Sequence, residues 1–422
     1  MPRAWSWRIS PVAFNTIDAF ALRPEAEVLL YCARTHMDAE NADRLRQLLR
    51  KELDWDYLRG LACQHGVMPL LYRNLHATAP EAVPGATLEA LREHFHANAF
   101  FNCSLVNELI KLLDLLDRQG ISAIPFKGPI LATTVYGNLA LREFLDLDIL
   151  VHERDLVKAK DLLFSAGYHL WQPLTDAQEA SHLHSEHSYT FIQADRKVHV
   201  DLHWRLTQRH HSFALDPERL WARAPRVSLA GRTVLSLPPE EMLLILCMHG
   251  AKHYWERLGW VCDVAELIRA CPELDYKWLL TQAADLNSNR FLTVGLFLAE
   301  DFLGASLPEY VSQRVQDDPQ VKPLARRARE LLFSEDHSVL RDGKRLAFYF
   351  RMKERVQDRI PYFLHHLHHM VVPNEADLEF VRLPGLLSFL YYVLRPLRLT
   401  TTYAWLSLKR MYGGNNGNSS VR

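Results

Sequence analysis

Two segments of this sequence alternate between polar and apolar residues, which is the pattern of a β-strand with one buried face. The segment FLDLDILV at 144–151 places Asp146 and Asp148 two residues apart among apolar side chains. The segment HVDLHW at 199–204 places Asp201 between two histidines. Successive side chains of a strand point to opposite faces, so the acids of each segment are predicted to share a face. A chain with this pattern is expected to build a sheet that is acidic on one side.

The opposite faces of both segments are predicted to pack under helices. Ionised carboxylates on a mostly buried strand repel each other and lose hydration. A hard divalent cation removes that penalty, because carboxylate oxygens are the ligands that Mg²⁺ prefers. A solvated edge face is the alternative interpretation of an Asp-x-Asp strand, and it stays open from this motif alone. The apolar faces consist of Leu145, Leu147, Ile149 and Val151 in the first segment and of Val198, Val200, Leu202 and Trp204 in the second.

Asp146, Asp148 and Asp201 together are sufficient for catalytic metal chemistry. Three carboxylates on two adjacent strands can hold two Mg²⁺ ions roughly 3.5–4 Å apart, the arrangement used for in-line phosphoryl displacement. One ion would bind the triphosphate of a nucleoside triphosphate. The other would lower the pKa of an acceptor hydroxyl and hold it for attack on the α-phosphorus. The three aspartates are therefore the predicted catalytic and metal-binding residues.

The periodicity of the apolar residues changes twice along the 422 residues. Apolar residues recur three and four apart from about residue 26 to residue 116, which predicts helices. Short strands and helices then alternate, which predicts a small α/β domain, and Pro238 and Pro239 mark the return to helices. The predicted fold class is α+β, with a small α/β domain embedded between two helical regions. The predicted divisions are an N-terminal helical region at 1–118, the α/β domain at 119–236, a C-terminal helical region at 237–412 and a disordered tail at 413–422.

Composition and charge exclude little. The formal net charge is −1, so the composition does not favour a nucleic-acid partner. Basic residues are concentrated between Lys322 and Arg359, where there are eleven Lys and Arg and six Asp and Glu. That segment either holds phosphates or an anionic surface, or forms solvated helix faces. The six cysteines include no CxxC pair, so they are expected to be reduced thiols and not disulfide partners or zinc ligands.

The sequence shows no signal for export or membrane insertion. The N-terminal segment MPRAWSWRISPVAF lacks the apolar core of a signal peptide. No apolar run reaches the roughly 18 residues that a membrane-spanning helix needs. A cytoplasmic protein without a transmembrane segment is therefore expected.

A larger, ordered set of motifs resembles a known superfamily. FKGPILATTVYGNLALREFLDLDILV followed by HVDLHW is similar to the nucleotidyltransferase superfamily that includes DNA polymerase beta, and more closely to the bacterial group called uncharacterised nucleotidyltransferase family proteins. In that group a strand ends in Lys-Gly, a helix carries a Tyr, and an Arg precedes an Asp-x-Asp strand. The segments DWDYLRGLACQHGVMPLLYRNL, HGAKHYWERLGWVCDVAEL and LYYVLRPLRL also resemble the group. The resemblance spans about residues 53–399 and implies a polymerase-beta-like nucleotidyltransferase domain.

Carried over residue by residue, the resemblance implies a nucleotide site. Asp146, Asp148 and Asp201 would be the metal-binding carboxylates. Gly128 would let the backbone approach the triphosphate at a helix N-terminus, where free N–H groups favour anions. The wider superfamily has a Ser directly after this glycine, and its hydroxyl contacts a phosphate. This chain has Pro129 there, which offers neither a hydroxyl nor an N–H group.

Two basic residues are predicted to supply the phosphate contacts. Lys127 is expected to replace the missing serine hydroxyl as a point charge, and Arg142 is expected to act as a second phosphate clamp. A structural role as ion-pair partners of Glu143 or Asp146 stays open for both residues.

The segment HGAKHYWERLGW at 249–260 is predicted to line a cleft that faces the α/β domain. Lys252 would reach a phosphate of the nucleotide. His253 and Trp255 would lie near the base or the acceptor, and His203 is a further candidate for such a contact. An amphipathic helix whose Trp260 and Val261 belong to the core is the competing interpretation.

The predicted enzyme is a nucleotidyltransferase that moves a nucleoside monophosphate from an NTP such as ATP to a hydroxyl and releases pyrophosphate. The acceptor is expected to be a small molecule, a peptide or a protein, and the cofactor Mg²⁺, with two ions bound. Three alternatives stay open: RNA-directed nucleotidyl transfer, a catalytically degenerate nucleotide-binding partner protein, and a pathway-specific protein-modifying enzyme. Pro129 in place of the usual Ser is the main argument for the degenerate site.

Overall fold

A computed structural model of the chain describes residues 22–193, 198–207, 216–333 and 341–360, together with positions 381, 390–392, 394–395 and 397–398. The described residues up to Phe333 form one compact unit, and those beyond it form a second. The predicted tail at 413–422 lies outside the described residues.

The described chain opens with helices, as the periodicity predicts. Asp38 and Asp54 begin the second and third of them, because their carboxylates accept hydrogen bonds from the backbone N–H groups of Asn41 and Tyr57. The third helix ends at Gly66, which adopts the left-handed conformation at φ 65°. The helices are α1 (Pro24–Cys32), α2 (Ala39–Leu48), α3 (Trp55–His65), α4 (Met68–Thr78) and the 34-residue α5 (Gly85–Arg118).

A sheet follows, and its strands alternate with short helices. In the part of the chain that the structure describes, it has five strands in the order β1-β2-β5-β4-β3. The central neighbours β2 and β5 run parallel, and the other neighbouring pairs are antiparallel. The elements are β1 (Ala123–Phe126), α6 (Gly128–Thr134), β2 (Asp146–Val151), α7 (Leu156–Ser165), β3 (His169–Leu170), α8 (Asp176–Ser185), β4 (Ser188–Gln193) and β5 (Val198–His203).

One face of the sheet packs against α5 and α7, and the predicted alternation explains why. Leu147 and Ile149 of β2 are fully buried in a core that also contains Leu109 and Leu112 of α5. One expectation is wrong: the side chain of Leu145 is 67% exposed. Strand β2 begins at Asp146, so Leu145 precedes the pleated segment and the alternation does not extend to it.

The polypeptide returns to helices after a short hairpin. As predicted, the first long helix of this region follows the proline pair and begins at Pro239. The core of the region is built around α13, which packs against α10, α11 and α15. The elements are α9 (Pro217–Arg223), β6 (Arg226–Leu229), β7 (Arg232–Leu235), α10 (Pro239–Lys252), α11 (Leu258–Ala270), α12 (Tyr276–Asp285), α13 (Asn289–Leu303), α14 (Glu309–Asp317) and α15 (Val321–Phe333). The second unit contains α16 (Arg341–Met352).

The predicted fold class is confirmed: an α+β arrangement in which a small mixed sheet lies between helical segments. A search of the described residues for membrane spans found no helix with the length and apolarity that crossing a bilayer requires.

The reversal after α10 provides a stability test of the packing. A Cβ on Gly250 would overlap the ring of Trp255, which is fully buried. We expect Gly250→Ala to lower the free energy of unfolding by about 1–3 kcal/mol through overpacking, measured by urea denaturation of the full chain. The control is Gly60→Ala in α3, because no atom lies within 4 Å of its added Cβ. This control should be neutral or stabilising by up to about 1 kcal/mol. Equal stability of the two variants would contradict the packing.

Candidate active site

The acids that alternate along the sequence converge on one face of the sheet. Asp148 and Asp201 are direct partners in the parallel pairing of β2 with β5. Asp146 starts β2 and lies opposite His199. The three carboxylates therefore come from two adjacent strands, as the sequence predicts.

Asp148 is the buried member, with a side chain 5% exposed. The ring nitrogen Nε2 of His203 lies 2.9 Å from its Oδ1, and the ammonium of Lys127 lies 3.4 Å from the same oxygen. Burial acts to raise the pKa of the Asp148 carboxyl, but the charge of Lys127 and the His203 hydrogen bond outweigh it, and the net pKa is lowered. Asp148 is therefore ionised at neutral pH.

Asp146 has the opposite electrostatic character. The residue is solvent-exposed, yet the surrounding protein displaces enough water from its carboxyl to disfavour the ionised form. This desolvation, together with the negative charge of Asp148, raises the pKa of Asp146 to about 6. Asp201 accepts a hydrogen bond of 2.7 Å from the hydroxyl of Thr190 on β4. Two carboxyls with pKa values shifted in opposite directions are typical of a functional site.

The donor atoms at this face fit a divalent cation. A carboxylate oxygen from each of Asp148 and Asp201 and a ring nitrogen of His203 all lie within 4.8 Å of one another. Asp146 lies two residues from Asp148 on the same strand face, but its carboxylate is not part of this group. Of the three aspartates that the sequence predicted, the structure brings Asp148 and Asp201 together, and His203 takes the third place in the group. The metal-binding role of these residues stays a prediction.

The Lys127–Gly128 turn between β1 and α6 is held against the start of β2. Lys127 has a φ of 53°, a conformation that is rare for residues other than glycine and that clusters at functional sites. Gly128 has a φ of 20°, and a Cβ there would lie 3.3 Å from the backbone oxygen of Asp146. Only glycine fits this position without strain. Pro129 occupies the first turn of α6, so that turn lacks one N–H donor.

Arg142 has a partner that the sequence analysis did not consider. Its guanidinium donates two hydrogen bonds to Asp263 of α11, at 2.7 and 2.8 Å, and the hydroxyl of Tyr136 donates to the same carboxylate at 2.8 Å. All three side chains are largely buried. This cluster fastens the segment before β2 to α11. A phosphate contact by Arg142 stays a prediction, but its donors facing Asp263 are already engaged.

Helix α5 supports the same segment from its other side. The side-chain amide of Asn102 donates to the backbone oxygens of Leu139 and Arg142, at 2.6 and 2.8 Å. Asn98, one turn earlier, donates to the backbone oxygen of Ala140 at 2.9 Å. Sequence reasoning missed these residues. Their signal was two asparagines one helical turn apart on the half-buried side of a helix, where an unpaired amide would be costly.

The predicted contact residues of the segment 249–260 have different surroundings in the structure. Lys252 is solvent-exposed, yet the pKa of its ammonium is lowered, chiefly because the surrounding protein displaces water from it and then because of the positive charge of Lys127. The negative charges of Asp201 and Asp148 act in the opposite direction. The ring of His253 packs 5.0 Å from that of Trp260.

Trp255 is fully buried beside Gly250 and Gly295, so its ring lies in the core of the helical region, where no ligand reaches it. Of the two residues that the competing interpretation assigned to the core, Val261 is fully buried and Trp260 is half-buried. The predicted contact of Trp255 with the base or the acceptor has no support from its placement.

Comparison with known proteins agrees with the motifs. Residues 51–304, more than half of the chain, match the family model described as "Uncharacterised nucleotidyltransferase". The chain belongs to this nucleotidyltransferase family. The match contains the three acids, the Lys-Gly turn and Asp263, so it covers the whole candidate site. The resemblance inferred from the motifs is confirmed, and with it nucleotidyl transfer as the general activity of the family.

Two further comparisons add little. None of the curated proteins matches the chain. Among solved structures, the chain is similar to the antibiotic-resistance factor ANT(2'')-Ia, whose solution structure shows substrate-regulated conformational dynamics. The two are 15% identical, and the match covers 44% of this chain and 93% of that one with a TM-score of 0.30. With so low a TM-score, we base no inference on this likeness.

Proposed function

We propose that this nucleotidyltransferase moves a nucleoside monophosphate from an NTP to a hydroxyl of a small molecule, a peptide or a protein, in a Mg²⁺-dependent reaction. The acceptor oxygen attacks the α-phosphorus, the bond from this phosphorus to the bridging β-phosphate oxygen breaks, and pyrophosphate leaves. The observation that supports this proposal is the pairing of Asp148 with Asp201 on parallel strands, beside Asp146. A structural role does not explain three acids on one face of a small sheet, because their repulsion destabilises the fold.

The aspartates would hold the divalent metal. Bound Mg²⁺ would neutralise charge on the triphosphate and lower the pKa of the acceptor hydroxyl. Asp148 is suited to permanent ligation because its lowered pKa keeps it ionised. Asp146 has a pKa near 6 and is exposed at the start of β2, where it is accessible to both metal and acceptor.

The triphosphate would lie between two lysines from different parts of the chain. Lys127 follows β1, and Lys252 ends α10. The positive charge of Lys127 is one of the causes that lower the pKa of Lys252, after burial, so the two ammonium groups repel each other. An anionic triphosphate between them would relieve this repulsion. Gly128, which lacks a side chain, would allow close approach of the phosphates to the backbone.

Acceptor contacts are proposed for His203 or His253 and are not extended to Trp255. The ring of His253 is part of an aromatic group with His249 and Trp260. Burial, and then the positive charge of Lys127, lower the pKa of His249. These contacts do not identify the acceptor.

The test is to incubate the purified full chain with α-labelled NTPs, Mg²⁺ and cell extract, and to follow label on any product. We expect label transfer by the wild type and none by the variant that combines Asp146→Asn with Asp148→Asn. Treatment of the labelled product with ribonuclease, protease or filtration separates RNA, protein and small-molecule acceptors. Equal transfer by the variant and the wild type would overturn the catalytic assignment.

A further inference from the structure

His203 occupies the site in a way that the three-aspartate pattern does not explain. It ends β5, its side chain is 4% exposed, and it lies on the same strand face as Asp201, two residues away. A buried imidazole beside three carboxylates needs a chemical reason, since an apolar residue would fill the same volume without a polar group to satisfy.

Two rings lie next to this imidazole. The ring of Phe126 packs edge-on at 5.0 Å, and the ring of His187 packs edge-on at 5.4 Å. The Nε2 atom lies 2.9 Å from Oδ1 of Asp148. The Nδ1 atom is buried and has no hydrogen-bond partner among the described residues. The hydrogen-bonding capacity of the ring is thus only partly used within the described protein.

One separation between donor atoms already fits a coordination shell. Adjacent ligands of an octahedral ion with bonds of ~2.1 Å lie ~3.0 Å apart, and opposite ligands lie ~4.2 Å apart. The 2.9 Å between His203 and Asp148 matches an edge of such a shell. The atoms of His203, Asp148 and Asp201 all lie within 4.8 Å of one another, so a small adjustment of side chains would enclose an ion.

We propose that His203 is itself a metal ligand, and that the resulting two-carboxylate, one-imidazole donor set makes the site select Mn²⁺ over Mg²⁺. This proposal rests on the proposed function, which requires a metal at these aspartates. An imidazole nitrogen is a softer donor than the oxygens that Mg²⁺ prefers, and divalent transition metals accept it readily. The enzyme would therefore work with Mg²⁺ but bind Mn²⁺ more tightly than a site made only of carboxylates.

A purely orienting role is the alternative, in which His203 donates a hydrogen bond to Asp148 and never touches the ion. The substitution His203→Gln separates the two roles. A glutamine places an amide N–H close to the position of Nε2, so it can still donate to Asp148, but it offers no nitrogen lone pair to a metal. His187→Gln is the matched control, because it changes a neighbouring ring that is not among the three candidate ligands.

The experiment is electron paramagnetic resonance of the full chain with Mn²⁺ at pH 8, where an ordinary imidazole is neutral. Spectra are recorded with Mn²⁺ alone and with Mn²⁺ plus the α,β-methylene analogue of ATP, which cannot release pyrophosphate. We expect nitrogen hyperfine coupling to bound Mn²⁺ in the wild type and in His187→Gln, and its loss in His203→Gln. We also expect His203→Gln to weaken Mn²⁺ binding by about 10- to 100-fold, with a smaller change in Mg²⁺ binding measured by competition.

Nitrogen coupling that is absent from the wild type, or that persists in His203→Gln, would overturn the proposal. So would a failure to bind Mn²⁺ under both conditions, or an equal loss of Mn²⁺ and Mg²⁺ affinity in His203→Gln. The outcome is distinguishable from that of the proposed function. Nitrogen coupling to Mn²⁺ without label transfer would refute the proposed nucleotidyl transfer and support His203 as a metal ligand. Label transfer without nitrogen coupling would support the transfer and refute the metal ligand.

Discussion

The substitution Asp263→Asn is expected to lower the free energy of unfolding by about 3–5 kcal/mol. Asp263 is buried and receives two hydrogen bonds from the guanidinium of Arg142 and one from the hydroxyl of Tyr136. Asparagine removes the negative charge and leaves the Arg142 cation buried without compensation, which is costlier than losing the attraction alone. Urea denaturation of the full chain, followed by circular dichroism, measures this loss.

Two further variants test the cause of that loss of stability. Tyr136→Phe removes one hydrogen bond to the same carboxylate and is expected to cost about 1.5 kcal/mol. The pair Arg142→Met with Asp263→Leu removes both charges, so the loss should shrink to about the cost of leaving the Tyr136 hydroxyl without a partner. A cost for Asp263→Asn no larger than that of Tyr136→Phe would show that the pair is hydrated or uncharged.

The stable double variant also tests the predicted phosphate contact of Arg142. If the guanidinium only fastens the segment before β2 to α11, NTP affinity should survive in the variant that replaces both charges. If Arg142 binds phosphate, NTP affinity should fall even though the fold is restored. The predicted phosphate contact of Arg142 can therefore be tested separately from its structural role in the ion pair with Asp263.

The strands that carry the acids were predictable because the alternation of polar and apolar residues is a local pattern. Alternation along β2 and β5 follows from the pleat, and it assigned Leu147, Ile149, Val200 and Leu202 to the core, where all are fully buried. The same rule failed for Leu145, because alternation has meaning only inside a strand and the boundary was invisible in the sequence. The expectation that Asp201 lies on a neighbouring strand followed from a chemical hypothesis, that a divalent metal would bind acids from both strands.

The partner of Arg142 was not predictable, because it lies 121 residues further along the chain. No local pattern connects an arginine before a strand with an aspartate in a distant helix. The aspartate in α11 was nevertheless a signal, since it stands among buried apolar residues of a helix, where a carboxylate requires a partner. Sequence analysis could identify that need but could not identify the residue that meets it.

The placement of Trp255 shows a different limit. Trp255 was predicted to lie in a cleft-lining segment, near the base or the acceptor. The chain instead reverses after α10 through Tyr254 and Trp255, whose φ angles of 59° and 55° are rare for such bulky residues. The reversal folds the Trp255 ring onto Gly250. The glycine one turn earlier was the clue, because only a residue without a side chain leaves room for that ring.

Asp146→Asn is expected to abolish transfer while stabilising the metal-free protein. Loss of a ligand carboxylate should lower the rate of label transfer by at least about a hundredfold. The pKa of Asp146 is raised to about 6 from a reference value of 3.8, so the folded state disfavours the ionised form. The contribution of Asp146 to the free energy of unfolding is therefore most favourable while Asp146 is protonated in both states. This contribution falls as the pH rises from about 4 to about 6. Asparagine carries no such charge and avoids the decrease.

In EDTA, thermal unfolding should therefore give equal stabilities for wild type and Asp146→Asn near pH 4, and a more stable variant above pH 6. The difference should be on the order of 1 kcal/mol, because solvent at this exposed residue screens part of the effect. Saturating Mg²⁺ or Mn²⁺ should reverse the order, since the wild type gains binding energy that the variant lacks. A variant that is less stable than the wild type without metal would mean that Asp146 serves the fold. The opposite result indicates that the chain tolerates a destabilising carboxylate at this position because the metal requires it.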